Sequence, residues 1–268
     1  MESWLTETGD DALRTAATRN MHAFIRKMAS TPTLHAASGD RWIRWKSRIP
    51  HPWFTGLMVE RPAAPSDQLL LGATLAEFSD NWWSFWATEE ARPETWLPLI
   101  QEAGLIRDTS IPHYGIATAD LVSDVPLPPD FVIVKVETRT TMAEWVKTFC
   151  EGYEIPMRFL PRLEAVFQEL GTGAPFSQWM GLHAGTPVAT ASTLVSDGVA
   201  GVYNVATKPN ARGNGYATAM TRAAIRVLAA QGCAAAVLQS TPNGERLYTR
   251  LGFRSLGPVE EWLNSVAP

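Results

Sequence analysis

Cysteine is scarce: Cys150 and Cys233 are the only two in 268 residues, far apart and in apolar surroundings. That excludes a disulfide framework and reads as two buried thiols in a reducing compartment, with no metal expected. No apolar run approaches the length of a membrane span. The segment from Met1 to Asn20 carries charges throughout and has no apolar core of signal-peptide length. A cytoplasmic setting without a membrane partner is therefore expected. A basic excess is also missing. With 23 Lys and Arg against 27 Asp and Glu the net charge is −4, which leaves no broad positive surface for a nucleic acid. What the chain has in excess is tryptophan, 11 residues crowded toward the first third, and a hydrophobic content of 46%. That content supplies sizeable cores for two modest domains.

The stretch from Gly201 to Phe253 organises the rest. Gly201-Val202-Tyr203-Asn204-Val205-Ala206-Thr207 is apolar and β-branched and predicts a buried strand. Lys208-Pro209-Asn210 breaks it. Arg212-Gly213-Asn214-Gly215-Tyr216-Ala217 follows, and then a helical segment to about Gln231. Glycines let the backbone bend tightly and let a ligand approach closely. The first N–H groups of a helix have no internal partner and lie at the positive end of its dipole. Such a turn is an anion site suited to a pyrophosphate, and Arg212 adds a fixed charge beside it. Two common phosphate motifs are absent. There is no Lys after Gly215 for a Walker A loop, and the third glycine position of a dinucleotide fingerprint is Thr218.

What remains is Arg212-x-x-Gly215-x-Ala217. It resembles the acetyl-CoA loop of the GNAT acetyltransferase superfamily. The residues downstream extend the likeness: a strand Ala234–Ser240, a turn at Thr241-Pro242-Asn243-Gly244, and Leu247-Tyr248-Thr249-Arg250-Leu251-Gly252-Phe253, which is similar to the superfamily's closing signature. The resemblance covers roughly residues 130 to 260. It implies an α+β fold in three layers, with a mixed, mostly antiparallel sheet flanked by helices.

The chain before this stretch can be read in the same terms. Residues 10–30 predict an amphipathic helix, Arg41–Lys46 a strand with one wet face, Trp53–Val59 another strand, and Ser66 the cap of a helix from Asp67 to Phe78. Trp82–Ala87 predicts an aromatic strand, and Pro93 opens a helix ending near Ala103. The order of strand, helix and Gly104 echoes Ala234–Ser240, helix and Gly252, with Ile100 falling where Tyr248 stands. Arg61–Pro65 would then correspond to the pyrophosphate loop, with two prolines and no glycine. Residues 1–125 are accordingly read either as a degenerate acetyltransferase-like repeat or as an unrelated α+β accessory domain. A proline-rich linker, Asp124–Asp130, leads into a catalytic domain at 126–268. There Phe131–Val136 is a strand, Thr140 or Thr141 caps a helix to Gly152, a second helix spans Arg158–Leu170, and three antiparallel strands follow, the last two joined at Asp197-Gly198.

The resemblance also implies roles. Backbone groups of Val205, Ala206 and Thr207 would pair with the pantetheine amides as an added strand, and an N–H near Val205 would hold the thioester carbonyl. Gly213, Asn214, Gly215, Tyr216 and Ala217 would cradle the pyrophosphate beside Arg212. Thr241 stands where many members carry an Asn. Tyr248 would donate the proton to the leaving sulfur. For the general base, Glu151, Glu154, His183 and a water chain along the strand all stay open. Trp145, Phe149, Tyr153, Phe159, Phe167 and Trp179 are either an acceptor pocket or, at their spacing, core. The expected function is acetyl transfer from acetyl-CoA to an amine of a small molecule, amino acid or peptide, by a monomer or homodimer. An acyl-CoA-binding sensor and an interaction module are the alternatives.

Overall fold

The computed structural model describes residues 5, 7–49, 51–108, 111–122 and 126–264. Asp124 and Val125 of the expected linker lie outside the described residues. The first elements in chain order are α1 (Asp10–Ala29), β1 (Ala37–Gly39), β2 (Trp42–Trp45), β3 (Gly56–Val59), α2 (Asp67–Glu77), β4 (Ser84–Ala87), α3 (Pro93–Glu102) and β5 (Ile106–Asp108). Next come β6 (Pro112–Ala117), β7 (Phe131–Lys135), α4 (Arg139–Gly152), α5 (Leu160–Leu170), β8 (Phe176–His183), β9 (Thr186–Ser196) and β10 (Val199–Thr207). The chain closes with α6 (Tyr216–Ala230), β11 (Ala235–Gln239), α7 (Pro242–Arg250), β12 (Arg254–Pro258) and β13 (Glu261–Leu263).

Two compact units result. One holds the chain through Met21 together with Pro112–Gly257, and the other holds His22–Ile111 with the segment after Gly257. The first contains a seven-stranded sheet, ordered β12-β6-β11-β10-β9-β8-β7, and the second a six-stranded sheet, ordered β1-β2-β3-β4-β13-β5. This partition differs from a single cut at residue 125. Strand β6 pairs with β11, and β13 pairs with β4 and β5. Partner choice for strands this short is set by long-range pairing, and nothing local announces it. The start of α1 joins the seven-stranded unit because Leu13, Ala16 and Ala17 bury against Val199, Ala235 and Val237.

That sheet is the middle of three layers. On one face α6 and α7 bring Ile225, Leu228 and Tyr248 against Ala200, Val202, Ala236 and Leu238; on the other lie α1 and α4. The local order is as the sequence predicts, with corrections at helix starts. Thr138, not Thr140 or Thr141, caps α4: its hydroxyl accepts the Thr141 N–H at 3.1 Å, and the Thr141 hydroxyl accepts the Thr138 N–H at 3.1 Å. Helix α5 starts at Leu160 after a short 3-10 turn, Met157–Phe159, in place of Arg158. Ser66 precedes α2, but its hydroxyl makes no capping bond. Asp197 and Gly198 both take positive φ, 51° and 73°, as the tight hairpin requires.

The two sheets share a pattern. In the seven-stranded sheet β10 runs parallel to β11, β11 antiparallel to β6, and β12 lies beyond. In the six-stranded sheet β3 runs parallel to β4, β4 antiparallel to β13, and β5 lies beyond. Helices α6 and α7 connect the first set, α2 and α3 the second.

Candidate active site

The site begins where β10 leaves β11. Their parallel pairing covers Val199↔Ala235, Ala200↔Ala236 and Gly201↔Val237, and ends there. Strand β11 continues on β6 as far as Gln239↔His113, so a fork opens beyond Gly201. Two local features hold it open. A bulge between Tyr203 and Ala206 bends β10. Asn204 sits in it at φ 53°, its carbonyl accepting Thr190 Oγ1 at 2.9 Å and its Nδ2 donating to Ser192 Oγ at 3.0 Å. The other feature comes from α1. Buried Asn20 donates to the Val199 carbonyl at 3.1 Å and accepts the Tyr203 hydroxyl at 2.7 Å. A Cβ on Gly201 would stand 1.9 Å from Asn20 Oδ1, so only glycine fits under it.

Beyond the bulge the strand backbone alternates. The Lys208 N–H bonds the Val188 carbonyl at 3.0 Å, and Ala206 is paired with Thr190. Alternation therefore turns the amide groups of Ala206 toward β9, and those of Val205 and Thr207 away from it. The Val205 carbonyl accepts the Tyr153 hydroxyl at 3.3 Å, and the Thr207 carbonyl accepts Arg212 Nε at 3.3 Å.

The turn after β10 is built as its glycines suggest. Gly213 and Gly215 take φ 84° and 79°, a region that costs other L-residues about 1 to 2 kcal/mol. A Cβ at Gly213 would meet nothing within 4 Å, and one at Gly215 only Pro128 Cγ at 3.8 Å, so conformation and not crowding demands glycine. Gly215 is the N-cap of α6, and no side chain caps this end. Tyr216 is buried, stacked on Phe131 at 4.5 Å between centroids. Ala217 is half-buried, and the Asn214 amide closes the turn on the Ala211 carbonyl at 3.1 Å. Arg212 folds back from the turn: its Nη2 donates to the Gly152 carbonyl at 2.9 Å and lies 3.5 Å from Glu154 Oε2. The guanidinium thus ties the end of α4 to the edge of β10.

Across the fork, exposed Thr241 caps the start of α7 by position only, with no side-chain bond. Tyr248 lies nearly two turns on and is 8% exposed. Gly244 makes room for it, since a Cβ there would stand 2.9 Å from the ring. Burial, and secondarily the neighbouring Tyr153 phenol, pushes the Tyr248 hydroxyl well above its ordinary range. Desolvation pushes Tyr153, 47% exposed over the whole residue, up to about 12.

The other candidates have settled roles. Glu151 pairs with Lys208 at 2.8 Å and Glu154 with Arg212, so each carboxylate already faces a cation. His183 is exposed, its ring 5.6 Å from Tyr216. Trp145, Phe149 and Phe167 pack on one another at 4.8 to 5.4 Å as core between α4 and α5. Of the aromatic set, Tyr153 reaches the fork through the Val205 carbonyl, and Trp179 packs in the cluster that includes Val205. Asn20 and His113 escaped the sequence reading. The only signal for Asn20 was one amide within an apolar helix face; His113 is brought in by β6.

Residues 140–253 match the sequence model of the acetyltransferase (GNAT) family. No curated protein matches the sequence. Among solved structures, a GCN5-related N-acetyltransferase from Kribbella flavida is 19% identical, with 93% of this chain and 96% of that chain covered and a TM-score of 0.68. A tandem GNAT protein from the clavulanic acid biosynthesis pathway is 12% identical over 93% and 94% of the two chains, with a TM-score of 0.56. A GCN5-related N-acetyltransferase from Sphaerobacter thermophilus is 13% identical over 96% and 92%, with a TM-score of 0.53. The fold is that of the GNAT acetyltransferases, and residues 140–253 are the part that matches the family's sequence model. Among the described residues, no helix is long and apolar enough to cross a membrane.

Proposed function

We propose that this protein is an acetyl-CoA-dependent N-acetyltransferase, with its active site in the seven-stranded unit. One observation carries the reading: an uncapped helix start behind two positive-φ glycines stands beside a fork in the sheet. The free N–H groups at α6 and the unobstructed backbone at Gly213 and Gly215 suit a pyrophosphate. The groups of Val205 and Thr207 that face away from β9 suit an amide arm laid along them; Ala206 would support that strand from the β9 side. Thr241 at the opposite lip offers a hydroxyl.

Acetyl-CoA supplies an acyl carbon activated as a thioester. The chain's part is to orient an amine toward that carbon through the fork and to shield the site from water. A C–N bond forms, the C–S bond breaks, the amine gives up a proton, and Tyr248 returns one to the sulfur. Burial suits Tyr248 to this, since it keeps the phenol protonated at neutral pH. The acceptor is the amine of a small molecule, amino acid or peptide. The six-stranded unit is a degenerate repeat without a working cofactor site.

Calorimetry with acetyl-CoA tests the reading on the wild type and on Gly215→Glu, which forces a side chain and a negative charge into the turn. Micromolar binding, weakened at least 100-fold in the variant, is expected. No binding by the wild type would sink the proposal. Binding without turnover of any amine would leave an acyl-CoA sensor.

A further inference from the structure

At the level of the fork, a row of polar side chains crosses the buried face of the seven-stranded sheet. Gln178 on β8 pairs with Ser192 on β9, and Ser192 with Tyr203 on β10. Across the fork, Gln239 on β11 pairs with His113 on β6. Extending the Gly201↔Val237 register by two residues would set Tyr203 against Gln239. The five residues therefore stand at one level. Alternation puts them on one face, that of Val199, Ala235 and Val237, which pack against α1. One level away the same strands carry Phe176, Leu194, Gly201 and Val237.

Gln178 and Ser192 are 0% exposed, His113 2% and Tyr203 4%. Part of the row is satisfied internally. Asn20 takes the Tyr203 hydroxyl at 2.7 Å, and the Gln239 amide nitrogen lies 3.0 Å from His113 Nδ1. Thr18 Oγ1 lies 3.5 Å from His113 Nε2. Three atoms are left over: among the described residues, Gln178 Nε2, Gln178 Oε1 and Gln239 Oε1 are buried without a hydrogen-bond partner. Each orphan of this kind costs about 1 to 3 kcal/mol, and a methionine of similar volume would cost none. A stable core alone does not call for two incompletely paired glutamines in this row.

We infer that the row is the acceptor site, and that it takes an amine bearing a neutral hydroxyl or carboxamide beside the amino group, in place of a second charge. The inference rests on the transferase reading and adds the substrate class. A glutamine amide presents an NH2 donor group and a carbonyl acceptor, which a carboxamide or hydroxyl matches in kind. No member of the row carries charge at neutral pH, since burial lowers His113 to about 4. A second ammonium would be buried there without a counter-ion, and a free carboxylate would have only the largely exposed Arg14 beside His113, each at a cost of several kcal/mol.

The test uses five acceptor probes: glycinamide, ethanolamine, glycine, putrescine and butylamine. Initial rates are measured with acetyl-CoA, and saturation-transfer NMR reads contact with the protein when no cofactor is present. Wild type, Gln239→Met and Gln178→Met are compared. Glycinamide and ethanolamine are expected to exceed the other three at least 10-fold in kcat/KM. Both variants should erase that preference and the NMR contact, with acetyl-CoA affinity in calorimetry unchanged. Unaltered KM together with a raised Tm in the variants would overturn the inference, because the row would then be internal structure only. So would a preference for glycine, putrescine or butylamine, or no NMR contact by either neutral probe. Absence of acetyl-CoA binding fells the transferase reading, while the NMR arm judges the row independently. Gln239 is only half-buried, so its variant keeps the test open if Gln178→Met fails to fold.

Discussion

Two strand–turn–helix junctions occupy equivalent places in the two sheets, and they are built to opposite ends. In the seven-stranded unit, β10 parts from β11 after Gly201, and the turn into α6 runs through Gly213 and Gly215 with no capping side chain. In the six-stranded unit, β3 stays paired with β4 to Val59↔Ala87, and the Thr88 N–H continues the ladder to the Val59 carbonyl at 3.0 Å. The turn into α2 has no glycine. Asp67, in the first turn of that helix, accepts both arms of Arg61 at 2.6 Å and the Ala64 N–H at 2.7 Å. A carboxylate from the chain itself thus occupies the start of α2, and no fork opens beside it. Ile100, four residues before Gly104 as Tyr248 is four before Gly252, is buried in the core. The same supersecondary frame is thus closed over an Arg61–Asp67 pair in one unit and open beside an uncapped glycine turn in the other.

The comparison can be broken most forcefully at Asp67. Asp67→Ala leaves Arg61 without its buried partner and is expected to cost about 3 to 4 kcal/mol of stability, read by urea denaturation, with acetyl-CoA affinity unchanged. A loss of acetyl-CoA affinity would mean that the six-stranded junction takes part in binding after all.

Acid should unsettle the two junctions in different windows. His113 has its folded pKa lowered to about 4 from 6.5. The unfolded chain therefore binds the proton first, and the stability this neutral histidine contributes is present above pH 6.5 and lost on descent to pH 4, about 3 kcal/mol in all. Burial opposes the Asp67 charge, but hydrogen bonds from Arg61 and Ala64 outweigh it and hold the carboxyl below its ordinary range. Its contribution is present above the unfolded value and lost only at lower pH, as the folded value is passed. Urea midpoints at pH 7 and pH 4.5, for wild type and His113→Gln, check the first window. An equal acid loss in both proteins would remove His113 as its cause.

Tyr248→Phe is expected to lower kcat about 100-fold with the acetyl-CoA dissociation constant unchanged, measured by thiol release and calorimetry. Unaltered turnover would leave Tyr248 as packing, like Ile100. The smallest effect is expected at Gly215→Ala. A Cβ there has room, so the loss is the positive-φ strain of about 1 kcal/mol, read as a modest fall in Tm.

Much of the seven-stranded unit was legible because its signals are local. The Asp197-Gly198 hairpin, the prolines and glycines at helix ends, and the Arg212–Ala217 turn each fix a conformation through their own backbone preferences. Thr138 was passed over as a cap because Thr140 and Thr141 offer the same chemistry, and only the observed pairing with Thr141 separates them. Asn20, His113 and Gln239 were illegible as a group. They lie on α1, β6 and β11, more than 90 residues apart in sequence at each step, and no periodicity links them.

The sequence by itself determined the order of elements and the open glycine turn, because φ preferences and apolar periodicity act within a few residues. Tertiary structure decided which sheet receives β6 and β13, where the fork opens, and which polar groups meet beneath α1. Those outcomes follow from strand pairing and burial between distant segments, and they are settled only when the whole core closes.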